Sequence, residues 1–217
     1  MSNPLLTPSS LEYELPPFAL INDGHYREGF TIGMAEQKAE IEAIVAQKEN
    51  ITFENTIVAL EKSGSTLTRV SNVFFNKSSS DTNDEIDAIE AEFAPLLSAH
   101  EDAIYLNADL FARIDWLFQR RESLGLDEAD RWVLELYYKD FVHAGASLSQ
   151  EKRERLKEIN EELSTLETQF SKNVLADSND LAIVVEDESK LAGLSDGQKS
   201  ALKAAATSRG LEGKWLI

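Results

Sequence analysis

Three histidines are the first residues in this chain able to hold a metal ion or move a proton near neutral pH. His100 is followed by Glu101, the opening of the helical zinc signature H-E-x-x-H, in which two imidazoles one turn apart face a single ion. Position 104 is Ile104, so the second ligand is missing. With no Cys in the chain, a lone His closes a tetrahedral site only with three carboxylates or further His. The spacing therefore predicts a hydrogen-bonded, half-buried His100 beside an apolar stripe. His25, next to Tyr26, falls at a helix start. His143 lies two residues before Gly145, where a cation suits the negative end of a helix.

Carboxylates are abundant. Asp84, Glu85, Asp87, Glu90 and Glu92 read as a solvated helix face, because no nearby aromatic pocket is visible in the sequence to raise a pKa among them. No G-x-S-x-G elbow occurs, and Lys62-Ser63-Gly64-Ser65 breaks a helix without the spacing of a phosphate loop. The residue types and their spacing thus predict no catalytic, cofactor-binding or metal-ligating residue in this chain.

The elements that would carry these residues are helices. Tyr26, Phe30, Met34, Ile41, Ile44 and Val45 recur at three to four residue spacing from about His25 to Lys48, with Gly29 and Gly33 weakening the first half. A second stripe opens at Thr52, a good cap, and runs through Ile57, Leu60, Leu67, Val70 and Phe74, bent or split at Gly64. Thr82 and Glu85 form a capping-box pattern ahead of Ile86, Ile89, Phe93, Leu97 and Ile104, with a kink expected at Pro95. Asn107 or Asp109 opens a helix that ends before Gly125, and Asp127 opens one that ends at Gly145. Ser147 with Gln150 repeats the capping pattern. Leu156, Ile159, Leu163, Leu166 and Phe170 then step by 3, 4, 3 and 4, a heptad seam too short for an independent coiled coil and expected to pack into a bundle. After residue 180, the run from Leu181 to Val185 and the final Lys214 to Ile217 read as strands flanking a helix capped by Ser195 and Gln198.

The chain has 217 residues, and 21 Lys plus Arg against 39 Asp plus Glu give a net charge of −18. This charge speaks against a nucleic-acid surface, which needs clustered cations. No apolar run approaches the roughly 20 residues of a membrane span, and no secretory leader pattern is present. A soluble cytoplasmic protein is expected, and the absence of Cys fits a reducing compartment. The fold class expected is mainly α: a bundle of six to seven helices with a short two-strand element near the C-terminal end. Four of the five prolines lie in residues 1–22, which read as an extended arm packing through Leu15, Phe18, Leu20 and Ile21. Residues 23–180 read as a helical lobe and 181–217 as a strand-helix-strand segment. An ending on Trp215-Leu216-Ile217 predicts the front part of a longer protein cut inside a strand. The alternative is that this strand pairs with residues 181–186 and the protein ends there.

Several stretches carry a resemblance: Leu15-Pro16-Pro17-Phe18, Thr52-Phe53-Glu54-Asn55-Thr56-Ile57, Asp140-Phe141-Val142-His143-Ala144-Gly145-Ala146, Ile159-Asn160-Glu161-Glu162-Leu163, Phe170-Ser171-Lys172-Asn173-Val174-Leu175 and Gly210-Leu211-Glu212-Gly213-Lys214-Trp215. Together they resemble the amino-terminal region of the peptidyl-dipeptidase branch of the thimet-oligopeptidase-like zinc metallopeptidases, a group that includes oligopeptidase A. The resemblance implies a monomeric protein about three times longer, almost wholly helical, whose two lobes enclose a channel for short peptides. It also implies zinc held by two His of H-E-x-x-H and a later Glu, all beyond Ile217, so no ligand or catalytic residue carries over to this chain. The residues 1–217 would then form an inactive, non-catalytic lobe and part of the channel wall. The competing expectation is a self-contained acidic helical interaction module offering the 149–176 seam to a partner.

Overall fold

The computed structural model describes residues 3–217, apart from the side chain of Asn179; the first two residues of the expected arm lie outside it. The chain divides into two compact units, one up to Thr168 and one from Gln169 on. Among the described residues there are seven helices of 13 to 31 residues and a single two-stranded antiparallel sheet, the mainly α class that the sequence predicts. No helix among them is long and apolar enough to cross a membrane.

The first unit begins with an arm whose anchor is Leu5, 1% exposed, together with Ile21. Leu15, Phe18 and Leu20, expected to pack, are exposed. The arm is also less extended than expected, since 3-10 turns occupy Glu12–Glu14 and Phe18–Leu20. Helix α1 (Gly24–Val45) follows. Thr52 then caps the next segment: its hydroxyl accepts from the Asn55 N–H (3.1 Å), and the Asn55 side chain accepts from the Thr52 N–H (2.9 Å). A π-helical turn at Glu54–Val58 leads into α2 (Ala59–Lys62), and the expected break falls at Gly64 before α3 (Ser65–Ser80).

Helix α4 (Asp84–Tyr105) runs through Pro95. Its cap is Asn83, not Thr82, because the Asn83 side chain accepts from both Glu85 and Ile86 N–H at 3.0 Å and its amide donates to Asp23 (3.0 Å). Asn107 caps α5 (Ala108–Arg120) and Asp127 caps α6 (Glu128–Ala144), as expected. Gly145, at φ 103°, ends α6 with paired bonds from Ala146 N–H to Phe141 O and from Gly145 N–H to Val142 O, a Schellman closure that requires a left-handed residue. Helix α7 (Gln150–Asp180) starts so that Ser149, not Ser147, takes the flanking position, its carbonyl accepting from Arg153 N–H.

Two apolar clusters build the first unit. One joins Tyr26 and Phe30 of α1 to Val70, Val73 and Phe74 of α3 and to Ile86, Ile89 and Phe93 of α4. Phe30 meets Phe74 edge-on and stacks on Phe93, with both ring centroids 5.1 Å away. Burying a ring of this kind contributes about 2 to 3 kcal/mol. The other cluster gathers Ile41 and Ile44, Ile57 and Leu60, Ile104, the α5 stripe Leu110, Ile114 and Leu117, and Leu134 and Phe141 of α6. Helices α1 and α4 thread both clusters and tie them into one body. The seam of α7 does not complete the bundle as expected: Leu163 and Leu166 are 47% and 55% exposed.

The second unit carries β1 (Val184–Val185), α8 (Asp196–Ser208) and β2 (Trp215–Leu216). Val184 pairs with Leu216 and Val185 with Trp215. Ser195 and Gln198 form the predicted reciprocal capping box. Its buried apolar side chains are few: Val185, Leu191, Ala206 and Leu216.

Candidate functional site

The first unit holds a cleft of about 930 Å³ walled by α3, α4, α6 and the part of α7 before Gln169. It lies over the line where the two apolar clusters meet, since Leu60, Ile104 and Phe141 of one cluster and Leu67 and Leu97 beside the other all border it. Its polar groups come from positions far apart in sequence. His100, Glu101 and Asp102 lie on α4, Gln37 on α1, Glu61 on α2, Tyr137 on α6 and Asn160 on α7.

Several of these groups hydrogen-bond one another. His100 Nε2 donates to the Gln37 amide oxygen (2.8 Å), and burial, followed by the charge of Lys38, keeps the imidazole below its usual pKa. His100 is thus the half-buried, hydrogen-bonded residue that the sequence predicts. Asn160 Nδ2 donates to Asp102 Oδ1 (2.7 Å), yet burial outweighs this bond and the opposing charge of Lys157, so the Asp102 carboxyl stays above its usual range. Desolvation at the cleft, followed by the neighbouring Asp102, pushes Glu101 up as well. The Tyr137 hydroxyl donates to Glu61, and burial, followed by that same bond and the Glu61 charge, drives the phenol far above its ordinary value. Tyr105 is raised by burial first and then by Asp140, Glu101 and Glu61.

The turn leading to Glu61 has its own brace. Arg113, 7% exposed, donates through Nη2 to Asn55 Oδ1 (3.0 Å) and through Nε to Thr56 Oγ1 (3.3 Å), clamping α5 onto the π-helical turn. Burial lowers its pKa. Neither Arg113 nor the partners in the cleft stood out in the sequence, because each pairs with a residue 57 to 76 positions away.

The remaining sequence candidates do not meet here. His25 closes the start of α1, where its Nδ1 accepts from Asn22 N–H (3.1 Å). His143 stands exposed in the last turn of α6. Glu85 and Glu92 both pair with Arg27 of α1, the latter at 2.7 Å, so this acidic face is partly neutralised. Ser63 donates to Leu60 O at a helix end (2.7 Å). Ile104 is buried where a second ligand would be needed, and among the described residues no three His, Asp or Glu converge as a metal site would require. The described donors therefore do not fit a zinc ion. What the cleft offers is hydrogen bonding and negative charge beside an apolar wall.

No protein-family profile matches the chain. It is 43% identical over 215 residues to dipeptidyl carboxypeptidase of Escherichia coli, an alignment covering 99% of the chain and 32% of that protein. Identity to oligopeptidase A of Escherichia coli is 30% over 213 residues, covering 98% of the chain and 31% of the relative. The organellar oligopeptidase A of Arabidopsis thaliana is 26% identical over 222 aligned positions, which is 27% of its length. The chain spans about a third of the length of these curated relatives, whose names make them peptidases. Similarity of 43% and 30% identity over nearly the whole chain places it in the thimet-oligopeptidase-like family.

Proposed function

We propose that this chain is the amino-terminal, non-catalytic lobe of a zinc metallopeptidase that hydrolyses short oligopeptides and releases dipeptides from their carboxyl ends. The observation that carries this reading is the identity of 43% to a dipeptidyl carboxypeptidase against 30% to oligopeptidase A, each over nearly the whole chain. In this reading the zinc ligands lie outside these 217 residues. Zinc, when bound, supplies an activated water and polarises the scissile carbonyl. The part left to this lobe is to bind and orient peptide. The cleft between α3, α4 and α7 forms a stretch of channel wall, with the Tyr137 hydroxyl, the Asn160 amide and the carboxylates available to a peptide backbone or side chain. The whole protein works as a cytoplasmic monomer.

A second reading draws on a separate observation. The half-exposed Leu163 and Leu166 of the α7 seam suit a partner helix, as an acidic interaction module would require.

Extending the gene sequence past codon 217 and assaying the encoded protein decides between them. H-E-x-x-H and a later Glu are expected, with dipeptide release that a chelator abolishes and zinc restores. The 217 residues alone are expected to hold no stoichiometric zinc and to cleave nothing. A stop codon directly after Ile217, or chelator-sensitive turnover by the 217 residues alone, overturns the peptidase-lobe reading.

A further inference from the structure

The cleft wall has two chemical halves, arranged along α4. Ala94 and Leu97, together with Leu67, Phe75 and Leu163, are apolar, and the next turn of α4 presents Glu101 and Asp102. Leu97 and Glu101 are four residues apart, hence on one helix face and about 6 Å apart along the axis. In an extended peptide, side chains i and i+2 also share a face, about 6.7 Å apart.

The charge of the cleft is one-sided. Glu61, Glu90, Glu101, Asp102 and Glu167 line it, and no Lys or Arg occurs among the described lining residues. Lys38 and Lys157 act from outside the lining. The partners of the engaged carboxylates are neutral donors: Tyr137 for Glu61, Asn160 for Asp102 and Ser78 for Glu90. Hydrogen bonds of this kind orient the carboxylates without cancelling their charge. Glu101 has neither a hydrogen bond nor an ion pair among the described residues. Desolvation at the cleft is the first cause of the upward pKa shifts of Glu101 and Asp102; the Asp102 charge adds to that of Glu101, and Lys157 only partly offsets that of Asp102.

We propose that this cleft is a docking groove for an extended peptide that carries an apolar side chain and, two residues further along, a Lys or Arg, the apolar group seating near Leu97 and the cation between Glu101 and Asp102. This assignment of a substrate class rests on the peptidase reading. The groove favours basic peptides through charge complementarity, and its apolar half keeps the peptide in register.

The probes are an N-acetylated hexapeptide with Leu and Lys two residues apart and its counterpart with norleucine in place of Lys, titrated calorimetrically into the 217-residue chain. Acetylation removes the α-amino group as a competing cation. The Lys peptide is expected to bind about three- to tenfold more tightly at low salt, with the advantage shrinking as salt screens the charges. Glu101→Gln is expected to remove about threefold of that advantage, and Glu151→Gln, at the exposed start of α7, none. The salt series on the unmodified chain tests the groove even if a variant fails to fold. Equal affinity for the two peptides, or binding of neither, overturns the groove assignment even where the longer protein proves to be a peptidase. A Lys preference beside an inactive longer protein supports the groove and overturns the peptidase reading instead.

Discussion

Glu101 and Asp102 are adjacent carboxyls on α4 at the rim of the cleft, and both are held above their ordinary pKa, chiefly by desolvation. A carboxyl with a raised folded-state pKa contributes its stability below the unfolded value and loses it as pH rises through the folded value. At neutral pH these groups therefore oppose folding slightly. Glu101→Gln is expected to stabilise the chain at pH 7 by about 0.2 to 0.5 kcal/mol, a small figure because Glu101 is exposed and screened. The gain should vanish below the ordinary carboxyl value of 4.5. Urea denaturation at both pH values checks this, and a stabilisation that persists in acid would show that charge is not its cause. At this scale His100 was legible from its place beside an apolar stripe. The Asp102–Asn160 and Arg113–Asn55 bonds were not, since each needs two helices brought together from 58 residues apart.

The same substitution has opposite expected effects in two helices. A Cβ on Gly33 would lie 2.8 Å from the Leu67 Cα, so Gly33 lets the backbones of α1 and α3 approach closely. Gly33→Ala is expected to cost about 1 to 3 kcal/mol through overpacking, despite the better helix propensity of Ala. Gly197 of α8 has nothing within 4 Å of its Cβ position, and Gly197→Ala is expected to gain about 0.5 kcal/mol. Thermal unfolding followed by circular dichroism separates the two, and a neutral Gly33→Ala would mean that α3 can move away freely. The sequence marked Gly33 only as a weakness in α1. That it is a contact depends on which helix packs there. The shift of the α4 cap from Thr82 to Asn83 has a similar origin, because both residues suit a cap locally and the bond from Asn83 to Asp23 favours one of them.

Across the whole molecule apolar burial is uneven. The unit up to Thr168 holds two clusters with Phe30, Phe74, Leu110, Ile114, Leu117 and Phe141 fully buried, whereas the unit from Gln169 on buries Val185, Leu191, Ala206 and Leu216. Opening free energy follows buried apolar contact. Amide hydrogen exchange is therefore expected to be slow across α1, α3, α4 and α5 and at least about tenfold faster in β1, α8 and β2, roughly the ratio of a 1.4 kcal/mol difference. Uniform protection would show that the second unit draws stability from a source other than its own core.

Helix positions, most caps, the break at Gly64, the Gly145 terminus and the two short strands were set by local chemistry: apolar period, side-chain acceptors at helix starts, and a residue able to take positive φ. Family membership was legible for a related reason, because those same local motifs stand in order along the chain. Tertiary structure alone decided which polar groups meet. A one-dimensional pattern shows that α4 has an apolar face and an acidic face, but the assembly of α3, α4, α6 and α7 sets Asn160 on Asp102 and Tyr137 on Glu61 and leaves α7 with an exposed seam. Pairings of this kind depend on loop closure and on the close approach of helices at Gly33, terms that act over dozens of residues and leave no periodic trace in the sequence.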